Sequence, residues 1–294
     1  MCIAVRTHVV DGAWVKESLP VRREDSHKGD YGRLCAICGS RGMTGAATMA
    51  ALGALRTGVG LCYLAIPDSI LNPLSIKLTE AVLKPLPSTE AGHISPLGVQ
   101  QLLGELGRYS CVLLGCGIGV TNETRALTRQ VLENIAVPLV LDADGLNILS
   151  EGIDYIDNVK SQAVLTPHAG EMARLIGKPR EYVENNRQQV AREFAVAHDC
   201  VVVLKGAHTL VAMPDGNVVI NTTGNPGMAK GGSGDLLAGM IASFIAQGLS
   251  VPTAAVAGVY LHGLAGDICA KELSQQAMLP SDMAAALPKV FCSL

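Results

Sequence analysis

Apolar residues in this chain come in short unbroken runs separated by longer segments of mixed or small residues. Runs at 34–38, 61–66, 111–114, 138–141, 163–166 and 201–204 are rich in Val, Leu and Ile and do not alternate with polar positions. A strand with one wet face alternates, whereas a strand covered on both faces does not. The pattern therefore predicts buried parallel strands. Segments at 44–56, 123–134, 184–198, 235–246 and 253–271 read as helices, and strands alternating with helices build right-handed βαβ units. Runs at 209–213 and 218–221 flank Pro214, Asp215 and Gly216, a turn signal that predicts an antiparallel hairpin. The expected architecture is an α/β sandwich with a mostly parallel central sheet and helices on both faces, in one domain.

Composition narrows the picture. A chain of 294 residues can bury a substantial core. With 49% apolar but only 3% aromatic residues, that core must be built from Ala, Val, Leu and Ile. The net charge of −3, with no basic run, gives no support for binding nucleic acid or an anionic membrane. No stretch approaches the ~20 uninterrupted apolar residues of a membrane span, and the N-terminus does not read as a signal peptide. Nine scattered cysteines read as the reduced thiols of a cytoplasmic protein. Cys35 and Cys38 form a CxxC, but residues three apart on a strand point to opposite faces, which suits buried structural thiols better than a metal site. The segment at 44–56 is rich in Ala and Gly. Its small side chains suit close packing on a sheet, or burial in a subunit interface.

Four motifs carry candidate chemistry. The strongest is Asn225-Pro-Gly-Met-Ala-Lys-Gly-Gly-Ser-Gly-Asp235, which leads straight into a helix. Glycines let the backbone approach a ligand, and first-turn amides at the positive helix end favour phosphate. Asp235 at that position is expected to be stabilised as the anion and available as a base. The plain alternative is that Ser233 or Asp235 only caps the helix. The loop lacks a Walker A ending. The second motif, Lys205-Gly-Ala-His-Thr209, follows the strand at 201–204, where α/β sheets bind ligands beyond the strand ends. Lys205 is placed to meet phosphate and Thr209 to donate its hydroxyl, unless this is an ordinary solvated turn. The third motif puts His168 and Glu171 after Thr166 and Pro167, at another strand end. The fourth, Asp142-Ala-Asp144-Gly145-Leu-Asn147, offers oxygen ligands suited to a hydrated magnesium ion, with Asp144 as a helix cap the simpler reading. Gly115-Cys-Gly117-Ile-Gly119 is not a full dinucleotide fingerprint and reads as a close-approach loop.

Taken together, these motifs resemble the ADP- or ATP-dependent NAD(P)H-hydrate dehydratases of the ribokinase-like superfamily. HKGDYG at 27–32, GSRGMTGAA at 39–47, GCGIG at 115–119, LDADGLN at 141–147, LTPHAGEMARL at 165–175, LKGAHT at 204–209 and NPGMAKGGSGDLLAG at 225–239 carry the resemblance in order and spacing. It implies a ribokinase-like domain over 26–294 after an N-terminal extension at 1–25, and no fused epimerase domain. It implies repair of the S epimer of hydrated NADH or NADPH: the nucleotide phosphorylates the ring hydroxyl, and phosphate leaves. Asp235 would be the base, with the amides of Gly232, Ser233 and Gly234 stabilising phosphoryl charge. Lys205, Gly206, Ala207, His208, Thr209, Gly234 and Asn225 would line the nucleotide. Ala46, Gly117 or Gly119, His168 and Asp235 would line the damaged dinucleotide. Magnesium is implied as cofactor, with Asp142, Asn147 and Glu171 as candidate ligands. An NAD(P)H-hydrate epimerase is the implied functional partner, and a homotetramer the implied assembly. ADP is the implied donor, with ATP left open. A vitamin-precursor kinase of the same fold and a non-catalytic nucleotide sensor are the competing readings.

Overall fold

A computed structural model describes residues 7–157, 159 and 162–294. Ten strands, β1 (Thr7–Val9), β2 (Arg33–Ile37), β3 (Leu61–Pro67), β4 (Val82–Leu86), β5 (Cys111–Leu114), β6 (Leu139–Leu141), β7 (Ala163–Leu165), β8 (Val201–Leu204), β9 (Leu210–Ala212) and β10 (Val218–Ile220), form a single sheet. Their order is β1-β10-β9-β8-β7-β6-β5-β2-β3-β4. Pairing is parallel except where β9 meets β8 and β10. The expected hairpin is therefore present, and it carries the sheet outward to β1.

Twelve helices cover the sheet: α1 (Gly12–Ser18), α2 (Thr44–Arg56), α3 (Leu71–Lys77), α4 (Pro96–Leu103), α5 (Asn122–Asn134), α6 (Asp144–Leu149), α7 (Ala169–Leu175), α8 (Arg180–Asn185), α9 (Arg187–Ala197), α10 (Ser233–Ala246), α11 (Val251–Ala277) and α12 (Pro280–Ser293). The continuous apolar runs reflect two cores. Leu34, Ala36 and Cys38 face one core, while Cys35 and Ile37 face the other. The CxxC pair is thus split across the sheet, as strand geometry requires. On the first face α2, α10, α11 and α12 pack together, and on the second lie α4, α5, α7 and α9.

Helix α2 packs on α10, so the small-residue surface that suited a subunit interface is used inside the chain. A Cβ at Gly239 of α10 would lie 2.0 Å from the Ala50 carbonyl oxygen, and one at Gly53 of α2 would lie 2.2 Å from that of Leu236. Backbone-to-backbone approach of this kind leaves no room for a side chain.

Several elements differ from expectation. The helix expected at 184–198 is two, α8 and α9, meeting at Asn186. Strand β4 contains Lys84 and Pro85, which break the apolar pattern; it sits at the sheet edge, where proline is tolerated. Strand β1 pairs with β10, so part of the stretch read as an extension belongs to the sheet. Helix α11 is long and apolar enough to cross a membrane, but 67% of its most apolar window is buried inside the protein.

Candidate functional site

Strands β6, β7 and β8 end side by side, and that edge gathers the chemistry. The Lys205 amide donates to the Pro167 carbonyl at 2.8 Å, and His168 and Lys205 form a parallel bridge beyond the strands proper. Lys205 Nζ donates to Asp142 Oδ1 at 2.7 Å and lies 3.8 Å from Glu171 Oε2. The Thr166 hydroxyl donates to the same Asp142 oxygen at 2.7 Å. Three strand ends are thus tied by one buried ion-pair network.

Helix α10 begins opposite this network. Gly232 is its N-cap, with φ of 97° and no side-chain cap. That left-handed conformation favours glycine. Neither Ser233 nor Asp235 caps the helix, which removes the plain alternative. The Ser233 hydroxyl lies 3.4 Å from His262 Nε2 on α11. The Ser233 amide donates to the Lys230 carbonyl at 3.3 Å, so it is engaged in the resting loop. The N-cap and first-turn amides have no intrahelical acceptor, which leaves those of Gly232, Gly234 and Asp235 to face a ligand. A Cβ at Gly234 would stand 3.2 Å from Lys205 Nζ. The ammonium and the helix terminus therefore converge on one point.

The cavity between them measures about 890 Å³. Asp142, His168, the loop 205–209, the loop 221–235 and His262 line it. The volume is at the upper end of ligand pockets, room for a large polar ligand. Asp235 is pushed up to about 6, first by burial and then by the Asp142 charge, against the lowering effects of Cys116 and Lys205. The helix end alone led to the opposite expectation. Burial decides the sign, because removing water costs a carboxylate more than half a dipole charge returns. A base near 6 is mostly ionised at neutral pH and still holds a proton well.

His168 is the N-cap of α7, with Nδ1 accepting from the amides of Gly170 and Glu171 at 3.0 and 3.1 Å. Burial and the positive charge of Lys205 lower its pKa. The neutral ring consequently carries its proton on Nε2. Glu171 is pushed up to about 7 by burial, only partly offset by Lys205. Its Oε2 accepts from the His168 amide at 2.7 Å.

Some predicted residues fall elsewhere. Asn147 Oδ1 accepts from Arg174 at 2.8 Å and Glu171 braces α7, and neither lines the cavity. With Asp142 paired to Lys205, the three proposed magnesium ligands do not converge. Asn225 lines the cavity, but its amide nitrogen donates to Asp267 and its oxygen accepts from Gly227. The Thr209 hydroxyl, expected to face the ligand, donates to the Gly206 carbonyl at 3.0 Å. Ala46, Gly117 and Gly119 do not line this cavity. Ala46 and Gly117 adjoin, since a Cβ at Gly117 would lie 2.7 Å from that of Ala46. The Gly119 amide donates to Asp144 Oδ2 at 2.8 Å. These residues hold the neighbouring loops, and the Ser40 hydroxyl ties the two loops by donating to the Gly117 carbonyl at 2.9 Å.

Sequence reasoning missed His262, Asp267 and Cys116. The first two are polar residues in an otherwise apolar helix, a signal present in YLHGLAGD at 260–267. Cys116 stands inside a motif read only for its glycines.

A three-layer α/β sandwich with a glycine-rich helix start, a half-buried lysine and a carboxylate gathered at one strand edge is a ribokinase-like architecture. The sequence between residues 34 and 289 matches the family model described as NAD(P)H-hydrate dehydratase, and the chain belongs to that family. The chain is 42% identical over 286 residues to the bifunctional NAD(P)H-hydrate repair enzyme Nnr of Moorella thermoacetica, covering 97% of this chain and 54% of that protein. It is 37% identical over 250 residues to the ADP-dependent (S)-NAD(P)H-hydrate dehydratase of Neisseria meningitidis, covering 84% of this chain and 80% of that one. The ADP/ATP-dependent NAD(P)H-hydrate dehydratase from Bacillus subtilis, co-crystallised with ATP and Mg2+, superposes with a TM-score of 0.82 at 30% identity over 95% of each chain. The chain spans about half the length of the bifunctional relatives it matches.

Proposed function

We propose that this protein dehydrates the S epimer of hydrated NADH or NADPH, using ADP or ATP as phosphoryl donor. One observation carries the reading: Asp235, Lys205 and the first-turn amides of α10 meet at a single point of the cavity. Asp235 accepts the proton of the substrate hydroxyl as its oxygen attacks the terminal phosphorus. Lys205 and the amides of Gly234 and Asp235 stabilise the charge spread over the phosphoryl oxygens. The phosphate ester then leaves as phosphate, the neighbouring ring carbon loses a proton, and the ring double bond returns. The Nε2 proton of His168 suits donation to a substrate oxygen; that tautomer cannot accept a proton at the same atom. Cys116, Asp142 and Asp235 bring ligand atoms within 4.8 Å of one another, but a thiol is a poor magnesium ligand and Asp142 is already paired with Lys205, so the ion fits here as the companion of the nucleotide phosphates, whose charge it neutralises. An epimerase that interconverts R and S hydrates is the proposed partner, with a cytoplasmic setting and a homotetramer as further parts of the proposal.

The test is to incubate the protein with hydrated NADH, magnesium and ADP or ATP in turn, following the near-ultraviolet absorbance of NADH and the release of free phosphate. Both should rise together with at least one nucleotide. A stable phosphorylated product, or no recovery with any nucleotide, would end the proposal.

A further inference from the structure

Cys116 is a buried group that this chemistry does not use. It stands at the turn after β5, fully enclosed, with the Gly39 amide donating to its carbonyl at 2.8 Å. Gly115 before it has φ of 127°, and a Cβ there would lie 2.0 Å from the Asp142 carbonyl oxygen. The backbone that presents the thiol is therefore pinned against the loop that presents Asp142. Cys116 Sγ lies 3.8 Å from Asp142 Oδ2. Sγ, an Asp142 oxygen and an Asp235 oxygen all lie within 4.8 Å of one another.

We propose that Cys116 is a positioning residue for Asp235, its thiol donating a hydrogen bond into the space between the two carboxylates and fixing the orientation of the base. The assignment rests on the dehydratase reading given above. The donor–acceptor sense follows from chemistry. Ionised carboxylates only accept, and a thiol is a weak donor. The hydrogen bond with Cys38, burial, and the charges of Asp235 and Asp142 all push the Cys116 thiol up, so it keeps its proton. Lys205 holds Oδ1 of Asp142, and the thiol approaches from the Oδ2 side. The charged and titratable groups facing Asp235 are thus Asp142, Asp144, Lys205 and Cys116. His262, beside Ser233, is held neutral by burial, which lowers its pKa to about 4. Among these groups the thiol is the neutral donor, in hydrogen-bond range of Asp142 Oδ2 and within 4.8 Å of an Asp235 oxygen. A donor there opposes rotation of the carboxylate away from the substrate hydroxyl.

Wild type, Cys116→Ala and Cys116→Ser are compared for turnover of hydrated NADH at saturating ADP and magnesium, with ADP affinity measured by calorimetry. Cys116→Ala should lower kcat about tenfold, the size of one hydrogen bond to a charged group. KM for the hydrate and ADP affinity should stay unchanged, and serine should restore most of kcat. An alanine variant equal to wild type would overturn the assignment, and so would equal losses in both variants, which would mark a packing role. A second readout needs no turnover. The infrared S–H stretch that disappears in Cys116→Ser should shift in Asp235→Asn, and an unmoved band would refute the contact. Failure of the dehydratase reading would show differently, as a wild type inert with every nucleotide.

Discussion

The partly buried setting of Asp235 fixes how the proposed reaction must respond to acid. With its pKa at about 6, Asp235 is about nine-tenths ionised at pH 7 and about one-tenth ionised at pH 5. A base must be ionised to accept a proton, so kcat should fall about tenfold between those two conditions. A solvent-exposed aspartate near 3.9 would lose almost nothing over the same range. The opposing charge can be tested by removing it. Removing the Lys205 charge deletes a lowering influence, so in Lys205→Met the acid limb should move to higher pH. The assay is initial rate against pH at saturating ADP and magnesium, with Glu171→Gln as a control because Glu171 is itself pushed up to about 7. Asp235→Asn should reduce kcat by several orders of magnitude and leave ADP binding intact. A wild-type profile flat to pH 5 would refute burial as the source of the shift, and a limb that stays in place in Lys205→Met would show that the Lys205 charge does not act on Asp235. Normal turnover in Asp235→Asn would remove the residue from the mechanism.

Three further outcomes follow from the packing. Lys205→Met leaves Asp142, with 1% of its side chain exposed, without its ammonium partner; chemical denaturation at pH 7 should show a loss of about 3 kcal/mol. The Lys205 pKa is raised by the Asp142 and Glu171 charges despite burial, so it is charged at pH 7 and the loss should shrink only above the ordinary lysine pKa of about 10; a variant as stable as wild type at pH 7 would mean the network contributes nothing net. Gly232→Ala forces a Cβ into a left-handed N-cap at a cost of about 1–2 kcal/mol, and calorimetry should show weaker ADP binding, because the loop amides turn with it. Gly239→Ala places a Cβ 2.0 Å from the Ala50 carbonyl; pushing α2 and α10 apart should cost about 2–3 kcal/mol in thermal denaturation, and an unchanged Tm would show the helices free to separate.

The local grammar of the chain was readable where one segment controls its own structure. Unbroken apolar runs announced strands covered on both faces, and Pro214-Asp215-Gly216 announced the hairpin. Glycines at 115, 117 and 119 announced a loop with three positive φ values. Legibility failed where a neighbour decides the outcome. Strand β4 carries Lys84 and Pro85, and only its edge position makes that acceptable. Asn225 and Thr209 have the right chemistry for a ligand, but other residues of the fold take up their polar atoms. Cys116 was invisible because a thiol's role depends on what it faces.

By itself, then, the sequence determined the strand and helix periods, the glycine-rich helix start at 232–235 and the family to which these motifs point. Tertiary structure alone decided that Lys205 pairs with Asp142, 63 positions away in sequence, and that Asp235 sits near 6. The physical reason is that periodicity is a property of neighbours along the chain, whereas desolvation and charge coupling depend on distances through space. Those distances exist only once the ends of β6, β7 and β8 and the start of α10 have been brought together.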